Sequence, residues 1–250
     1  MWPREFESRL FRQTRKRVDR KTVDTAYLDN PVWNSLTTCH SDIALGGPGA
    51  LRYPSDIAPF VDTRDWSRAD LDELAELVLP GEQVCAAGVR VVWDERWEID
   101  TQFEAIQMVW PETQIERTND SEIVRLTDGD VPAMLELTAL VYPAYFREGT
   151  ARLGAYFGIK QEGRLAAMAG IRLAMTGFQE ISAVCTHPDY RGRGYATSLA
   201  QHLVGFIQDA GDVPFLHTEE ENEAARSIYH RLGFVLKRKF PVWIVTLRQG

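Results

Sequence analysis

Two arginines alternate with two glycines in the stretch RGRGYAT, residues 191 to 197. The stretch follows a predicted strand and precedes a segment whose apolar residues recur at helical spacing. The first turn of a helix carries unpaired backbone N–H groups and the positive end of the helix dipole, so it attracts anions. Glycine lets an anion approach these groups because it has no Cβ. These residues predict a phosphate site, to which Arg191 and Arg193 add charge; the alternative is a plain strand-to-helix turn with surface arginines.

Other motifs that bind phosphate or metal do not match the sequence. No GxxxxGK[ST] stretch is present, which excludes a Walker loop. No GxGxxG opens a βαβ unit with an acidic residue about 20 positions later, which disfavours a dinucleotide-binding fold. The three cysteines, Cys39, Cys85 and Cys185, are widely spaced and form no CxxC pair. We therefore expect no metal, no disulfide framework, and a reducing, cytoplasmic compartment.

The elements that must position this stretch fall into two blocks after a basic arm at residues 1–24. The first block, residues 25–117, is predicted to contain a helix that Ser67 caps, two strands in VCAAGVRVVWDERWEI and another strand in FEAIQMVWP. The second block, residues 118–250, has the order β-α-β-β-β-α-β-α-β, with a hairpin turn at Glu162-Gly163. The order predicts an α/β or α+β fold in which helices flank a mixed sheet.

Composition and charge narrow the class of partner. With 44% hydrophobic and 26% charged residues, the 250-residue chain has the composition of a soluble globular protein. Its net charge of −8 argues against nucleic acid as a partner, because phosphate backbones need a basic surface. The same charge suits a cationic substrate that carries an amine. No apolar run approaches the roughly 18 residues of a membrane span, so we expect no membrane partner.

Two motifs in the second block resemble those of a known superfamily. The pattern Arg191-x-x-Gly194-x-Ala196 resembles the acetyl-CoA pyrophosphate signature of the GNAT superfamily of N-acetyltransferases. The stretch NEAARSIYHRLGF resembles the second motif of that superfamily, and the residues that match it are Asn222, Tyr229, Gly233 and Phe234. The resemblance covers residues 118–250 and implies a GNAT-type, mostly antiparallel sheet. The first block resembles a degenerate GNAT half without a second cofactor motif.

The resemblance implies acetyl-CoA as acyl donor and no metal. Its pyrophosphate is expected on the amides that open the helix after Tyr190. Its pantetheine arm is expected to pair with the backbone of strand four, between splayed strands four and five, where an N–H of Val184 or Cys185 would polarise the thioester carbonyl. The full set of expected cofactor-binding residues is Val184, Cys185, Thr186, Arg191, Gly192, Arg193, Gly194, Tyr195, Ala196, Thr197, Asn222 and Tyr229.

The resemblance also implies direct attack of a neutral amine on the thioester, with two proton transfers. Tyr229 lies where members of the superfamily place the tyrosine that protonates the leaving thiolate; core packing is the alternative. Glu180 matches the base-bearing glutamate of one subset; the alternative is a plain polar residue at a strand end. His217 and water are the other candidate bases, and a structural histidine is the alternative for His217. Strand alternation predicts that Glu180 shares one face with Ser182, Val184 and Thr186.

The acceptor is not specified by the sequence. A small-molecule amine and a protein or peptide amine both fit, and a homodimer is left open. Tyr142, Tyr145 and Phe146 follow the first helix of the second block, where members of the superfamily often wall the acceptor pocket. The competing hypothesis is a non-catalytic acyl-CoA-binding or regulatory module that retains the fold.

Overall fold

The computed structural model describes residues 25–88, 91–111, 122–141 and 146–249. The predicted basic arm and the predicted block boundary at residues 117/118 lie outside these ranges. Within them, the helices are α1 Pro31–Thr37, α2 Arg68–Leu77, α3 Val131–Val141, α4 Tyr195–Asp209 and α5 Glu223–Leu232. No helix in the described ranges is both long and apolar enough to cross a membrane.

The strands form a small sheet and a large one. The small sheet contains β1 Leu45–Gly46, β2 Ala50–Arg52 and β3 Val61–Thr63. The large sheet contains β4 Gln83–Ala87, β5 Trp97–Val109, β6 Ile123–Arg125, β7 Tyr156–Gln161, β8 Arg164–Met175, β9 Phe178–Thr186, β10 Val213–Glu219 and β11 Val235–Leu247. Its order is β4-β11-β5-β10-β9-β8-β7-β6, and the β9–β10 pair is parallel while the other neighbours are antiparallel. The predicted α+β fold with a mostly antiparallel sheet is confirmed.

The two predicted blocks share the large sheet. Strand β5, from the first block, lies between β10 and β11 of the second block, and β4 pairs with the other edge of β11. Residues 97–109 form one continuous strand because β11 pairs along their whole length. The prediction of separate strands in WEI and FEAIQMVW is therefore wrong.

Each face of the large sheet is covered by a different set of helices. On one face, α4 and α5 bury an apolar cluster that includes Ile181, Leu203 and Tyr229. On the other face, α1 and the first block bury a cluster around Leu28 and Phe178. We call these the α4/α5 face and the α1 face.

Two local sequence patterns correctly predicted a helix start and a hairpin turn. The Ser67 hydroxyl accepts a hydrogen bond from the amide of Asp70, and the carboxylate of Asp70 accepts one from the amide of Ser67, so a capping box begins α2. Glu162 and Gly163 adopt positive φ angles of 50° and 80° and join β7 to β8, which confirms the predicted hairpin.

Candidate functional site

The turn before α4 is an exposed loop with two glycines in a left-handed conformation. Gly192 has φ +77° and Gly194 has φ +81°, and Gly194 is the N-cap of α4. A Cβ at either position would have no atom within 4 Å, so space above the turn is open. Residues 191–194 are exposed. The glycines are required by backbone conformation, and the turn is not covered by its own side chains.

The amides of this turn precede the hydrogen-bonded part of α4. The first N–H that bonds within α4 is that of Ser198, which donates to the carbonyl oxygen of Gly194 at 3.0 Å. Among the described residues, no acceptor is recorded for the N–H groups of Gly192 to Thr197. Arg193 lies over the ring of Tyr190, with 5.0 Å from Cζ to the ring centroid. An anion site at a helix N-terminus needs amides in this arrangement, and the diphosphate role of the turn stays a prediction.

A second glycine-rich turn, in the first block, is filled by the protein itself. The amide of Gly49 donates to a carboxylate oxygen of Glu73 at 2.9 Å. A Cβ at Gly49 would lie 2.7 Å from three atoms of that carboxyl group. Because an internal carboxylate occupies the turn, it is not available to a phosphate.

Strands β9 and β10 separate just before this turn. Their parallel pairing ends at Ile181 and Leu216, although β9 continues to Thr186 and β10 to Glu219. Residues 182–186 therefore pair with β8 on one side and face a gap on the other. We call the point of separation the apex.

Alternation along β9 decides which peptide groups face the gap. The amide of His187 donates to the carbonyl oxygen of Ala166 on β8 at 2.8 Å, so His187 and Cys185 direct their peptide groups toward β8. Those of Thr186 and Val184 point into the gap. An extended ligand that carries amides can add to such a strand edge.

The prediction that one face of β9 carries Glu180, Ser182, Val184 and Thr186 is wrong. The pairing with β8 contains a bulge around Ala183, which has φ 52°. A bulge inserts one extra residue and reverses the alternation that follows. Consequently the side chain of Val184 packs on the α4/α5 face. The side chain of Glu180 lies on the α1 face, where it contacts Arg172 and His217.

Glu180 lies at the apex, fully buried, between a guanidinium and an imidazole. Arg172 on β8 forms a bidentate pair with it, with contacts of 2.9 Å from Nε to Oε2 and 2.5 Å from Nη2 to Oε1. His217 Nδ1 lies 2.9 Å from Oε1. Burial alone would raise the pKa of Glu180, but Arg172 and His217 outweigh it and lower this pKa to about 2.

These contacts bear on the role predicted for Glu180. A carboxylate with a pKa near 2 and two engaged oxygens is a weak acceptor for the proton of an amine. His217, by contrast, is the first residue of β10 after the pairing with β9 ends, and its side chain is 12% exposed. Burial lowers the pKa of His217, which keeps its ring neutral at neutral pH. The base assigned to Glu180 stays a prediction, and the geometry favours His217 as the group that Glu180 orients.

Tyr229 approaches the sheet from the α4/α5 face. It is 7% exposed, packs edge-to-face on Phe234 at 5.9 Å between ring centroids, and no described residue hydrogen-bonds to its hydroxyl. Burial raises the pKa of this phenol, so it remains a proton donor at neutral pH. Asn222 caps α5, with Oδ1 accepting from the amide of Ala225 at 3.0 Å.

Comparisons with known proteins identify the family. N-alpha-acetyltransferase RimI of Mycobacterium tuberculosis is 34% identical over 131 residues, which is 47% of this chain and 82% of that protein. A solved GNAT-family protein of Novosphingobium aromaticivorans is 30% identical, with 89% of this chain and 99% of the other covered and a TM-score of 0.83. The chain belongs to the GNAT family. The family model described as FR47-like protein matches residues 156–244.

A further structure extends the likeness in fold to both blocks. A GCN5-related N-acetyltransferase-like protein of Streptococcus suis is 17% identical, with 90% of this chain and 97% of the other covered and a TM-score of 0.57. Membership of the GNAT family identifies the chain as an N-acetyltransferase, an acyl-transferring enzyme. The degenerate GNAT origin of the first block stays a prediction.

The remaining candidate residues differ in what the structure shows of their surroundings. Tyr142 and Tyr145 lie outside the described residues. Phe146 packs edge-to-face on Tyr156 at 5.5 Å between ring centroids. Cys185 is buried, and burial raises the pKa of its thiol to about 12, which makes it a poor nucleophile. In the described part of the chain, no group of three His, Cys, Asp or Glu side chains is arranged to hold a metal.

Two residues of this GNAT site were missed by sequence reasoning. Arg172 is the one basic residue in β8 after its first residue, Arg164, and its isolation in an apolar strand was a usable signal for a buried ion pair. Gln107 is the polar residue in IQMVW, and its Nε2 lies 2.9 Å from His217 Nε2. Nothing local indicated that β5 would lie beside β10.

Proposed function

We propose that this chain transfers an acetyl group from acetyl-CoA to a primary amine. The observation that carries the proposal is the run of amides from Gly192 to Thr197, which have no acceptor within the described part of the chain and lie beside the open end of the gap between β9 and β10. A diphosphate needs several N–H donors and positive charge, and this turn supplies both with Arg191 and Arg193. About three charge-assisted bonds of roughly 1.5–3 kcal/mol each would supply most of the approximately 8 kcal/mol of micromolar binding.

The strand edge beyond the apex fits the amide-bearing arm of the same molecule. The peptide groups of Val184 and Thr186 point into the gap, where they are able to pair with the amides of a pantetheine chain. Bound acetyl-CoA supplies the acetyl thioester and the leaving thiol. A backbone N–H near the bulge at Ala183 would then stabilise negative charge on the thioester oxygen.

Two side chains are proposed to move protons. The amine nitrogen forms a bond to the acetyl carbon, and the bond from that carbon to sulfur breaks. His217 accepts the proton that the amine loses, and the carboxylate of Glu180 stabilises the imidazolium that results. Tyr229 gives its proton to the departing thiolate, a role suited to a phenol that burial keeps protonated.

The acceptor we propose is the α-amine of a peptide or protein. The name of the M. tuberculosis relative describes an N-alpha-acetyltransferase, and that relative shares 34% of residues across the matched part. The net charge of −8 favours approach of a cationic amine. Release of CoA with small amines alone would assign the enzyme to a small-molecule acceptor.

The test is CoA thiol release from acetyl-CoA with peptides that carry free or blocked α-amines and with small amines. We expect release with peptides that carry a free α-amine and none with blocked peptides, and a fall in kcat of about 100-fold in Tyr229→Phe with an unchanged KM for acetyl-CoA. Tyr53→Phe is the matched control, because Tyr53 is a buried tyrosine of the first block. Binding of acetyl-CoA without release under any acceptor would support a non-catalytic module instead.

A further inference from the structure

Gln107, a residue of the first block, contacts the apex from β5. Its side chain is fully buried. Its Nε2 lies 2.9 Å from the carbonyl oxygen of Leu28 and 2.9 Å from His217 Nε2. An amide nitrogen carries two hydrogens, and two neighbours are present to receive them.

The orientation of the Gln107 amide follows from these neighbours. The carbonyl oxygen of Leu28 can only accept, so it requires the nitrogen of the amide rather than the oxygen. A reversed amide would bring two acceptor oxygens together inside the core, which is costly in a medium of low polarity. The group that faces His217 Nε2 is therefore an N–H donor.

The other ring nitrogen of His217 faces an acceptor. Glu180 is ionised, because Arg172 pairs with it, so its oxygen requires a hydrogen on His217 Nδ1. With a donor at Nε2 and an acceptor at Nδ1, the ring satisfies both contacts only as the neutral Nδ1–H tautomer. The hydrogen bonds run in one direction, from Gln107 through His217 to Glu180.

We propose that Gln107 is a positioning residue that holds His217 in the neutral Nδ1–H tautomer, so that the first block completes the catalytic site of the second. The part of this claim that concerns catalysis rests on the proposed function, whereas the part that concerns the tautomer does not. The arrangement directs the basic lone pair of His217 away from Glu180. A positioning role for Gln107 also gives a function to strand β5, which lies between β10 and β11.

The charged groups around His217 have opposing effects on its protonation. Glu180 on β9 favours the imidazolium, whereas Arg172 on β8 and Arg238 on β11 disfavour it. The rings of Phe215 and Phe240 pack edge-to-face on the imidazole, at 5.5 Å and 5.0 Å between centroids. Protonation of Nε2 would also set an N–H against the N–H of Gln107. An ammonium donor forms a stronger, charge-assisted bond than a neutral amide, so an incoming acceptor amine is able to replace Gln107 at this lone pair.

Nitrogen NMR of histidine-labelled full-length protein tests the tautomer directly. In the wild type we expect the His217 signals of a neutral ring with hydrogen on Nδ1. In Gln107→Leu we expect mixed tautomers and a higher pKa of His217, because a donor that stabilised the neutral ring is lost. The loss of one hydrogen bond corresponds to a rise of about 0.5–1 unit in the pKa of His217. The acid limb of the pH profile of kcat/KM should therefore move to higher pH by the same amount.

Two further variants test whether the effect on His217 is specific to the N–H donor of Gln107. Gln102→Leu alters an exposed glutamine on the same strand and should leave the His217 signals unchanged. Gln107→Glu has nearly the same shape but offers an acceptor, so it should produce a ring protonated on both nitrogens at neutral pH. Wild-type-like His217 signals in both Gln107 variants would overturn the proposal. Failure of the proposed function would look different: no thiol release by the wild type, with His217 signals that still depend on Gln107.

Discussion

Replacing Glu180 with glutamine should cost the protein more stability than any surface change of the same kind. The carboxylate is fully buried, and its charge is balanced by Arg172, whose side chain is 20% exposed. Glu180→Gln removes the negative charge that balances the guanidinium of Arg172. Breaking a buried pair by removing one member typically costs about 3–5 kcal/mol.

The pKa of Glu180 gives a second way to calculate how much stability Glu180→Gln should lose. The folded-state pKa is lowered from 4.5 to about 2. A shift of that size corresponds to roughly 3 kcal/mol, since one pH unit is about 1.4 kcal/mol. Because the folded pKa is depressed, this stabilisation is fully present above about pH 4.5 and is lost as the pH falls toward 2. Both routes therefore predict a loss of about 3 kcal/mol at pH 7.

Urea unfolding at pH 7 and at pH 3 measures this contribution. The wild type should lose stability between the two conditions, and Glu180→Gln should lose less, because it no longer carries the titrating group. Glu219→Gln, a change at an exposed carboxylate, is the control and should behave like the wild type. A Glu180→Gln protein as stable as the wild type at pH 7 would refute the view that this ion pair holds the apex together.

Three more outcomes follow from the buried polar groups. Tyr156→Phe should leave stability unchanged or raise it by up to about 1 kcal/mol in urea unfolding, because the buried Tyr156 hydroxyl has no hydrogen-bond partner among the residues that the structure describes. Tyr53→Phe should cost about 1 kcal/mol, because that hydroxyl lies 2.8 Å from His40 Nδ1. Burial raises the pKa of Asp62 from 3.8 to about 7, so the protein should lose up to about 4 kcal/mol as the pH rises from 4 to 7, and Asp62→Asn should flatten that slope in the same assay. Ser67→Ala removes the N-cap of α2 and should lower the melting temperature by the equivalent of about 1 kcal/mol, measured by calorimetry.

Much of the second block was predictable because its signals are local. Glycines at 192 and 194 mark left-handed positions before an amphipathic helix, and Glu162-Gly163 marks a two-residue hairpin. Each signal lies within a few residues of the structure that it specifies. The motif around Asn222 and Tyr229 also falls on the predicted helix.

The apex was less predictable because it depends on distant neighbours. Strand β5 lies beside β11 although residues 109 and 235 are far apart in sequence, and no local pattern encodes that pairing. The bulge at Ala183 places an alanine at φ 52°, a conformation that the residue type does not announce. The network of Gln107, His217 and Glu180 becomes visible only when three strands are known to be adjacent.

The most direct test of the account is the affinity of the turn before α4 for acetyl-CoA. Gly194 and Gly211 have φ angles of 81° and 86°, and a Cβ at either would meet no atom within 4 Å, so the same substitution strains both backbones equally. In calorimetric titrations with acetyl-CoA, the wild type and Gly211→Glu should bind with similar affinity, and Gly194→Glu should bind at least about 100-fold more weakly, which is about 2.8 kcal/mol. Equal affinities in the two variants, or no binding by the wild type, would contradict the assignment of this turn as the diphosphate site.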